Sequence, residues 1–236
     1  MLLLAFETSA KAASVALFRD GTLLGESYQN TGLTHSQTLL VMAQDLLKQC
    51  GFVPGDVTHT AVAAGPGSFT GVRIGVAAAK GFAWGKEIPC YGVSTLEAMA
   101  SGLGQWDGHI CACMDARRNQ VYNAVYLADA GVLTPIAQDR AIALAELKTE
   151  LEQIDGPIYL VGDGAALTYR TLAAEVPNLI LPPEHRLHQR AAGVGLVALT
   201  AIARGEEGNA AALAPNYLRL SQAERERLEK ENKGDR

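Results

Sequence analysis

The order of predicted strands and helices indicates an α/β fold in which helices flank mixed sheets. Three strands joined by tight turns, at residues 2–5, 14–18 and 22–28, predict an antiparallel meander. Strands and helices then alternate up to Gly102, and the same order of elements begins again after Gly104. With 236 residues, of which 48% are hydrophobic, the chain is long enough to bury a substantial core.

The first half is predicted to continue after the meander with alternating helices and strands. In order, these are a helix at 34–50, a strand at 60–64, a helix at about 71–84, a strand at 89–93 and a helix that begins at Ser94. Thr34 and Gln37 have the spacing of a capping box, as do Ser94 and Glu97. Thr70 is the predicted N-cap of the helix at 71–84.

A second half with the same order of elements follows. Its predicted elements are strands at 109–114, 120–127 and 132–137, a helix at 143–153, a strand at 157–161, a helix at 165–175, a short strand at 179–181 and an apolar helix at about 187–204. The repetition implies a duplicated ribonuclease-H-like fold, the plan of the actin, Hsp70 and sugar kinase superfamily. We expect one ribonuclease-H-like half at 1–104 and a second half at 105–222 that is a degenerate copy of the same fold. A solvated charged tail is expected at 223–236.

Composition and charge exclude several classes of protein. The net charge of −5 and pI near 5.6 argue against a chain that binds nucleic acid alone, which usually carries a basic patch. The apolar residues 1–6 are too short for a membrane span and lack a basic flank, so they predict a buried strand and not a signal peptide. The four cysteines include no C-x-x-C pair, which predicts buried free thiols in a reducing cytoplasm.

A glycine-rich stretch at residues 65–75, Gly-Pro-Gly-Ser-Phe-Thr-Gly-Val-Arg-Ile-Gly, joins a predicted strand to a helix. It is neither a Walker A loop, which needs Lys-Ser/Thr after its last glycine, nor the Rossmann fingerprint, which is one residue shorter. Backbone N–H groups at such a helix start suit a phosphate, a carboxylate or a partner's carbonyl. The residues predicted as possible nucleotide or anion contacts are Thr8, Ser9, Gly65, Gly67 and Ser68. A turn with only a structural task is the alternative.

Small residues recur every four positions on the helix after this turn, at Gly71, Gly75, Ala79 and Ala83. They lie on one side, where a second backbone can approach closely. We therefore predict that this side meets a partner helix. Packing against the protein's own sheet is the alternative.

Five motifs together resemble one family. They are Phe-Glu-Thr-Ser at 6–9, Thr-His-Ser at 34–36, the glycine-rich stretch at 65–75, Asp-Ala-Arg-Arg at 115–118 and Pro-Asn-Tyr-Leu-Arg at 215–219. Over essentially the whole chain the sequence resembles the TsaB family, formerly YeaZ, of bacterial tRNA threonylcarbamoyladenosine biosynthesis proteins. The resemblance implies an inactive relative of TsaD, the subunit that, with TsaB and the ATPase TsaE, transfers a threonylcarbamoyl group to adenosine 37 of tRNA.

Several residues that catalysis needs are missing from this chain. TsaD-like enzymes resemble one another in having two histidines four residues apart on the first helix. Here the residue four positions after His35 is Leu39. The first turn contains Glu7 and no Asp to hold Mg²⁺. Arg117 and Arg118 stand where TsaD-like enzymes have a glycine-rich second turn. We therefore expect no catalytic residue, no metal site and no cofactor.

The resemblance predicts a scaffold and activator, not an enzyme, for tRNAs that read codons beginning with adenine. The expected partners are a TsaD-type catalytic subunit, a TsaE-type ATPase and, only within the complex, tRNA. The predicted partner-binding residues are His35, Leu39, Met42, Gly71, Gly75, Ala79 and Ala83. The same surface can close a homodimer by twofold symmetry. On this basis, Gly75→Leu is predicted to weaken TsaD binding and leave the fold intact.

Two other functions stay open. One is an active ATP-dependent small-molecule transferase of the sugar kinase type, with Thr8, Ser9, Gly65 and Gly67 around phosphate. The other is an RNA-binding module, which the acidic net charge opposes. The sequence gives Glu7, Arg73 and Arg117 no role more specific than polar contact.

Overall fold

The computed structural model describes residues 1–219, so the predicted tail at 223–236 lies outside the described residues. The first half contains β1 (Leu2–Glu7), β2 (Ala13–Arg19), β3 (Thr22–Gln29), α1 (His35–Gln49), β4 (His59–Gly65), α2 (Phe69–Trp84), β5 (Cys90–Ser94) and α3 (Thr95–Ser101). The second contains β6 (Gly108–Asp115), β7 (Gln120–Asp129), β8 (Val132–Ala143), α4 (Leu144–Leu151), β9 (Ile158–Val161), α5 (Ala165–Leu172), β10 (Leu179–Ile180) and α6 (Ala191–Ala203).

The two sheets have the same topology. The strand order is β3-β2-β1-β4-β5 in the first sheet and β8-β7-β6-β9-β10 in the second. In each, the first three strands are antiparallel and the last two run parallel to the first strand. The predicted duplication of a ribonuclease-H-like fold is confirmed.

Both faces of the first sheet are covered by helices. Side chains of a strand alternate between faces, and on β1 both sets are apolar and buried: Leu4 and Phe6 pack in the core with α1 and α2, whereas Leu3 and Ala5 pack in the core with α6. Strand β1 is therefore the centre of the first half, and its burial was predicted from its apolar run.

Local turn chemistry explains one tight turn and corrects two predicted helix caps. Asp20 and Gly21 both have positive φ, which suits the predicted tight turn between β2 and β3. The predicted N-cap Thr70 is wrong: it lies inside α2, and Ser68 is the N-cap, its hydroxyl accepting the Gly71 N–H at 3.3 Å. Thr34 is the N-cap of α1, but its side chain makes no capping hydrogen bond, so the predicted capping box does not form.

Helix α6 corrects the predicted division of the chain. Although its residues fall within 105–222, it packs on β1, β2 and β4 of the first half. The approach is close: a Cβ on Gly193 would clash with the backbone of Ala98, and one on Gly195 would clash with the ring of Phe18. Residues 1–104 therefore do not cover both faces of their own sheet, because the face opposite α1 and α2 is completed by α6 from the second half.

The described chain ends by crossing from the first half to the second. The Asn216 N–H donates to the Ala64 carbonyl at 2.6 Å, and Lys80 Nζ donates to the Leu213 carbonyl at 2.8 Å. Arg219 Nη1 then donates to the Ala116 carbonyl of the second half at 2.8 Å. Among the helices within residues 1–219, none combines the length and apolar character needed to span a bilayer.

Candidate functional site

A cleft of about 540 Å³ lies between the two halves. Its walls come from the β1–β2, β4–α2, β6–β7 and β9–α5 turns and from the last described residues. Strands β1 and β6 are equivalent in the two sheets, as are β4 and β9, so the duplicated topology brings the four turns to one place. The lining residues are Ser9, Ala10, Lys11, Pro66, Gly67, Ser68, Phe69, Met114, Asp115, Ala116, Arg117, Tyr122, Asp163, Asn216, Tyr217, Leu218 and Arg219.

Three of the five predicted anion contacts line this cleft: Ser9, Gly67 and Ser68. Thr8 does not, because its buried hydroxyl donates to the Gly71 carbonyl at 2.8 Å and ties the end of β1 to α2. Gly65 is also outside the cleft. Its φ of +122° and its contact with the Asn216 backbone leave no space for a side chain.

A buried polar pair lies beneath the first turn. Glu7 and Ser9 are both fully buried, and the Ser9 N–H donates to Glu7 Oε1 at 2.5 Å. Within residues 1–219, neither Glu7 Oε2 nor the Ser9 hydroxyl has a hydrogen-bond partner. Burial raises the pKa of Glu7 to about 7, and the charge of Asp163 adds to that rise. A carboxyl in such surroundings holds its proton up to neutral pH.

Two further carboxylates line the cleft from the second half. Gln189 Nε2 donates to Asp163 Oδ1 at 3.0 Å, and the enclosing cleft walls raise the pKa of Asp163. Asp115 Oδ1 accepts the Arg117 N–H at 2.7 Å. In the described part of the chain, no three His, Cys, Asp or Glu side chains are close enough together to hold a metal ion.

The C-terminal segment forms part of the cleft mouth, which sequence reasoning missed. The Tyr217 ring stacks on Phe69 with their centroids 4.8 Å apart, and the Arg73 guanidinium lies 3.7 Å from the Phe69 centroid. Arg73 Nε also donates to the Tyr217 hydroxyl at 2.7 Å. The Pro-Asn-Tyr-Leu-Arg motif was a signal, but no local pattern shows that a segment 144 residues from Arg73 reaches α2.

The predicted partner-binding residues are mostly inaccessible, and this corrects the sequence interpretation. Leu39, Met42, Gly71, Gly75, Ala79 and Ala83 are all buried in the chain's own first half. The glycines face inward because α2 lies against the end of β1: a Cβ on Gly71 would clash with the Thr8 carbonyl, and one on Gly75 would clash with the Thr8 hydroxyl. Gly75→Leu would therefore disrupt the fold.

The remaining predicted partner residue, His35, is half-buried at the start of α1. Its Nε2 lies 2.8 Å from the Ala10 carbonyl, a contact that fastens α1 to the β1–β2 turn. Within residues 1–219, His35 Nδ1 has no partner. The position four residues later is Leu39, which is 1% exposed in the core.

The exposed apolar side chains of the first two helices lie at other positions. Leu40 and Val41 of α1 are each 55% exposed, and Leu33, just before α1, is 59% exposed. Helix α2 packs beside α1 and exposes the small residues Ala77 and Gly81. We call these five residues the α1–α2 face.

Comparisons with known proteins identify the family. The family model for TsaD, tRNA N6-adenosine threonylcarbamoyltransferase, matches residues 29–227. The TsaB protein of Bacillus subtilis is 33% identical over 234 residues, which cover 97% of this chain and 99% of that protein. The TsaB protein of Escherichia coli is 39% identical over 167 residues, 70% of this chain and 72% of that protein. Both are called tRNA threonylcarbamoyladenosine biosynthesis proteins.

A solved structure of YeaZ from Pseudomonas aeruginosa superimposes with a TM-score of 0.73 at 28% sequence identity. It covers 92% of this chain and 99% of its own. Sequence and fold thus agree along nearly the whole chain, which belongs to the TsaB family of tRNA threonylcarbamoyladenosine biosynthesis proteins.

Proposed function

We propose that this chain is a non-catalytic scaffold and activator in the formation of threonylcarbamoyladenosine at position 37 of tRNA. Its partners are a TsaD-type catalytic subunit, a TsaE-type ATPase and, within that complex, a tRNA reading codons that begin with adenine, all in the cytoplasm. The relatives named TsaB support the pathway.

The observation that carries the non-catalytic role is the pair of positions 35 and 39. Two imidazoles on one helical face bind one metal only if both positions carry histidine. Here the His35 ring contacts the Ala10 carbonyl, and Leu39 is a core residue. Helix α1 therefore does not supply the two histidines that the resemblance implies for a TsaD-type enzyme.

The second hairpin turn supports the same role. Arg117 and Arg118 stand there with positive φ, and the Arg117 side chain is 87% exposed at the cleft mouth. A glycine-rich turn would let backbone amides approach a phosphate closely, whereas these side chains project from that position. The backbone amides of this turn are consequently less accessible to a phosphate than those of a glycine-rich turn.

The α1–α2 face is the proposed contact with the catalytic subunit. Leu40 and Val41 present two branched apolar side chains to solvent, and the small residues Ala77 and Gly81 allow close approach of another backbone. An exposed apolar patch of this kind is typical of a protein interface. In the isolated protein, the same face is the proposed homodimer contact, since a self-complementary patch closes by twofold symmetry.

Reconstitution of tRNA threonylcarbamoylation tests this proposal. The reaction is run with TsaD, TsaE and a supply of threonylcarbamoyl-adenylate, with this chain present, omitted or replaced by Leu40→Gln/Val41→Gln. We expect omission to abolish activity and the double variant to bind TsaD about tenfold more weakly. Val132→Gln/Ile136→Gln is the control, because it removes two exposed apolar side chains from β8 in the other half. Equal activity without the chain, or ATP turnover by the chain alone, would contradict the proposal.

A further inference from the structure

Basic and aromatic side chains lie together at the mouth of the cleft. We call them the mouth ridge: Arg73, Phe69, Tyr217, Arg219, Arg117 and Arg118. Their backbone positions belong to three separate parts of the chain: α2, the C-terminal segment and the β6–β7 turn. The fold therefore assembles a charged surface that is not visible as a run of residues in the sequence.

Hydrogen bonds hold the C-terminal part of the mouth ridge against both halves. Arg73 Nε donates to the Tyr217 hydroxyl at 2.7 Å. Two residues further along, Arg219 donates to the Ala116 carbonyl at 2.8 Å. Ala116 precedes Arg117 and Arg118, which are both exposed. The ridge thus runs from the first half to the second and is held by its own hydrogen bonds.

The charge of the mouth ridge is opposite to that of the whole protein. The chain has a formal net charge of −5, whereas the ridge has four guanidinium groups, and Lys11 lines the same cleft, where the carboxylates are Asp115 and Asp163. Arg117 has an ion pair with Asp115 at 3.7 Å, but its side chain is 87% exposed, so that pair contributes little. The acidic total charge therefore conceals a local basic surface.

The backbone of the β6–β7 turn indicates that its arginine side chains have a task. Arg117, Arg118 and Asn119 have φ values of 65°, 55° and 56°. Three consecutive non-glycine residues in the left-handed region are strained, and glycine would relieve that strain at either arginine. Residues strained in this way cluster at functional sites.

We propose that the mouth ridge binds the phosphodiester backbone of RNA when this chain is part of its complex. The inference rests on the proposed function, in which tRNA is the substrate of that complex. Guanidinium groups pair with phosphate oxygens through two parallel hydrogen bonds. The exposed part of the Tyr217 ring, which is 40% exposed as a residue, offers a surface for base stacking. Interleaved arginine and aromatic side chains suit RNA better than an acidic protein surface.

The test is the affinity of the assembled complex for tRNA as a function of salt concentration. Arg117→Gly/Arg118→Gly removes two guanidinium groups and relieves the strained turn. We expect tRNA binding to weaken by about tenfold and the slope of log K against log salt to fall by about 1.5, since each lost phosphate contact removes about 0.7 to 0.9. The unfolding midpoint of this variant should stay the same or rise, which separates lost binding from lost folding.

Arg19→Ala/Arg170→Ala is the matched control, because both arginines are exposed and lie outside the ridge. It should keep the affinity and salt slope of the unmodified protein. Unchanged tRNA binding by the Arg117→Gly/Arg118→Gly complex would overturn the proposal. The proposal would also be overturned if the variant assembled more weakly with TsaD but the assembled complex kept its tRNA affinity. That result would show that the ridge binds an acidic protein surface. The proposed scaffold role is tested separately, by measuring tRNA threonylcarbamoylation in the absence of this chain.

Discussion

Glu7 shows how burial changes the chemistry of one residue. It occupies the end of β1, where it has no exposed surface, and its Oε1 accepts the Ser9 N–H at 2.5 Å. Burial raises its pKa to about 7 from an ordinary value of 4.5. From the sequence, Glu7 could be placed in the first turn, but its burial could not be predicted because the walls around it come from both halves.

Glu7 should make the stability of the protein fall as pH rises. Below pH 4.5 the carboxyl is protonated in both the folded and the unfolded protein, so it does not change the free energy of unfolding. Between pH 4.5 and about 7, the unfolded chain ionises while the folded chain keeps its proton, which lowers the free energy of unfolding. Glu7→Gln removes this dependence. The stability of the variant relative to the unmodified protein should increase by about 2 kcal/mol from pH 5 to pH 8.

Urea unfolding at pH 5, 6.5 and 8 measures this difference. Glu87→Gln is the control, because it makes the same exchange of a carboxyl for an amide at an exposed position. If the difference between Glu7→Gln and the unmodified protein is constant with pH, Glu7 ionises in the folded protein at its ordinary pKa.

Helix α2 shows which features of an element its sequence reveals. The four-residue spacing of Gly71, Gly75, Ala79 and Ala83 correctly identified one side of a helix, but that side packs on the chain's own sheet. Apolar residues occupy the neighbouring positions as well, including Val76 and Phe82, so periodicity does not distinguish the inward side from an outward one. The contact with Thr8, which does distinguish them, depends on tertiary packing.

The helix starts were predictable in position, but their hydrogen bonds were predictable only in part. The Ser94 hydroxyl accepts the Glu97 N–H at 3.2 Å, as the spacing of these two residues predicted. Ser68 and Thr70 are both good N-caps by type, and they stand two residues apart. The turn geometry selects Ser68, whose backbone N–H donates to the Ser9 carbonyl at 2.6 Å and whose hydroxyl accepts from Gly71. A contact between two distant turns thus decided a local feature.

Two glycines of α2 should respond to alanine in opposite directions. A Cβ at Gly75 would clash with Thr8, so Gly75→Ala should lower the free energy of unfolding by about 2 kcal/mol. Gly81 is exposed, with open space around a Cβ, so Gly81→Ala should raise it by about 0.5 to 1 kcal/mol through helix propensity. Thermal unfolding of both variants checks the pair. A stabilising Gly75→Ala would show that α2 can move away from β1.

At the scale of the whole molecule, topology was the most predictable property. The order of elements and the antiparallel meanders predicted both sheets, because neighbouring strands in sequence pair locally. The final third of the second half was less predictable. The apolar character of α6 predicted its burial, but not which half it covers, since its Ala, Gly and Val side chains fit either sheet.

The return of α6 joins the two halves electrostatically as well as by packing. Glu26 on β3 accepts hydrogen bonds from Arg190 at 2.8 Å and from the Ala192 N–H at 3.0 Å. A carboxylate at the first turn of a helix is favoured by the helix dipole. Glu26 therefore fixes the start of α6 against the first sheet, at a sequence distance of about 165 residues.

The halves should consequently unfold as one unit. Without α6, a fragment of residues 1–104 would expose the apolar face of its sheet that includes Leu3, Phe18 and Val93. We expect a single calorimetric transition for the full chain, and we expect the 1–104 fragment to bind a hydrophobic dye and lack fixed tertiary structure. Co-expression of that fragment with residues 105–236 should restore folding, because the second fragment supplies α6. Two separate transitions, or a fragment 1–104 that folds alone, would show that the cross-half packing is not needed for the stability of the first half.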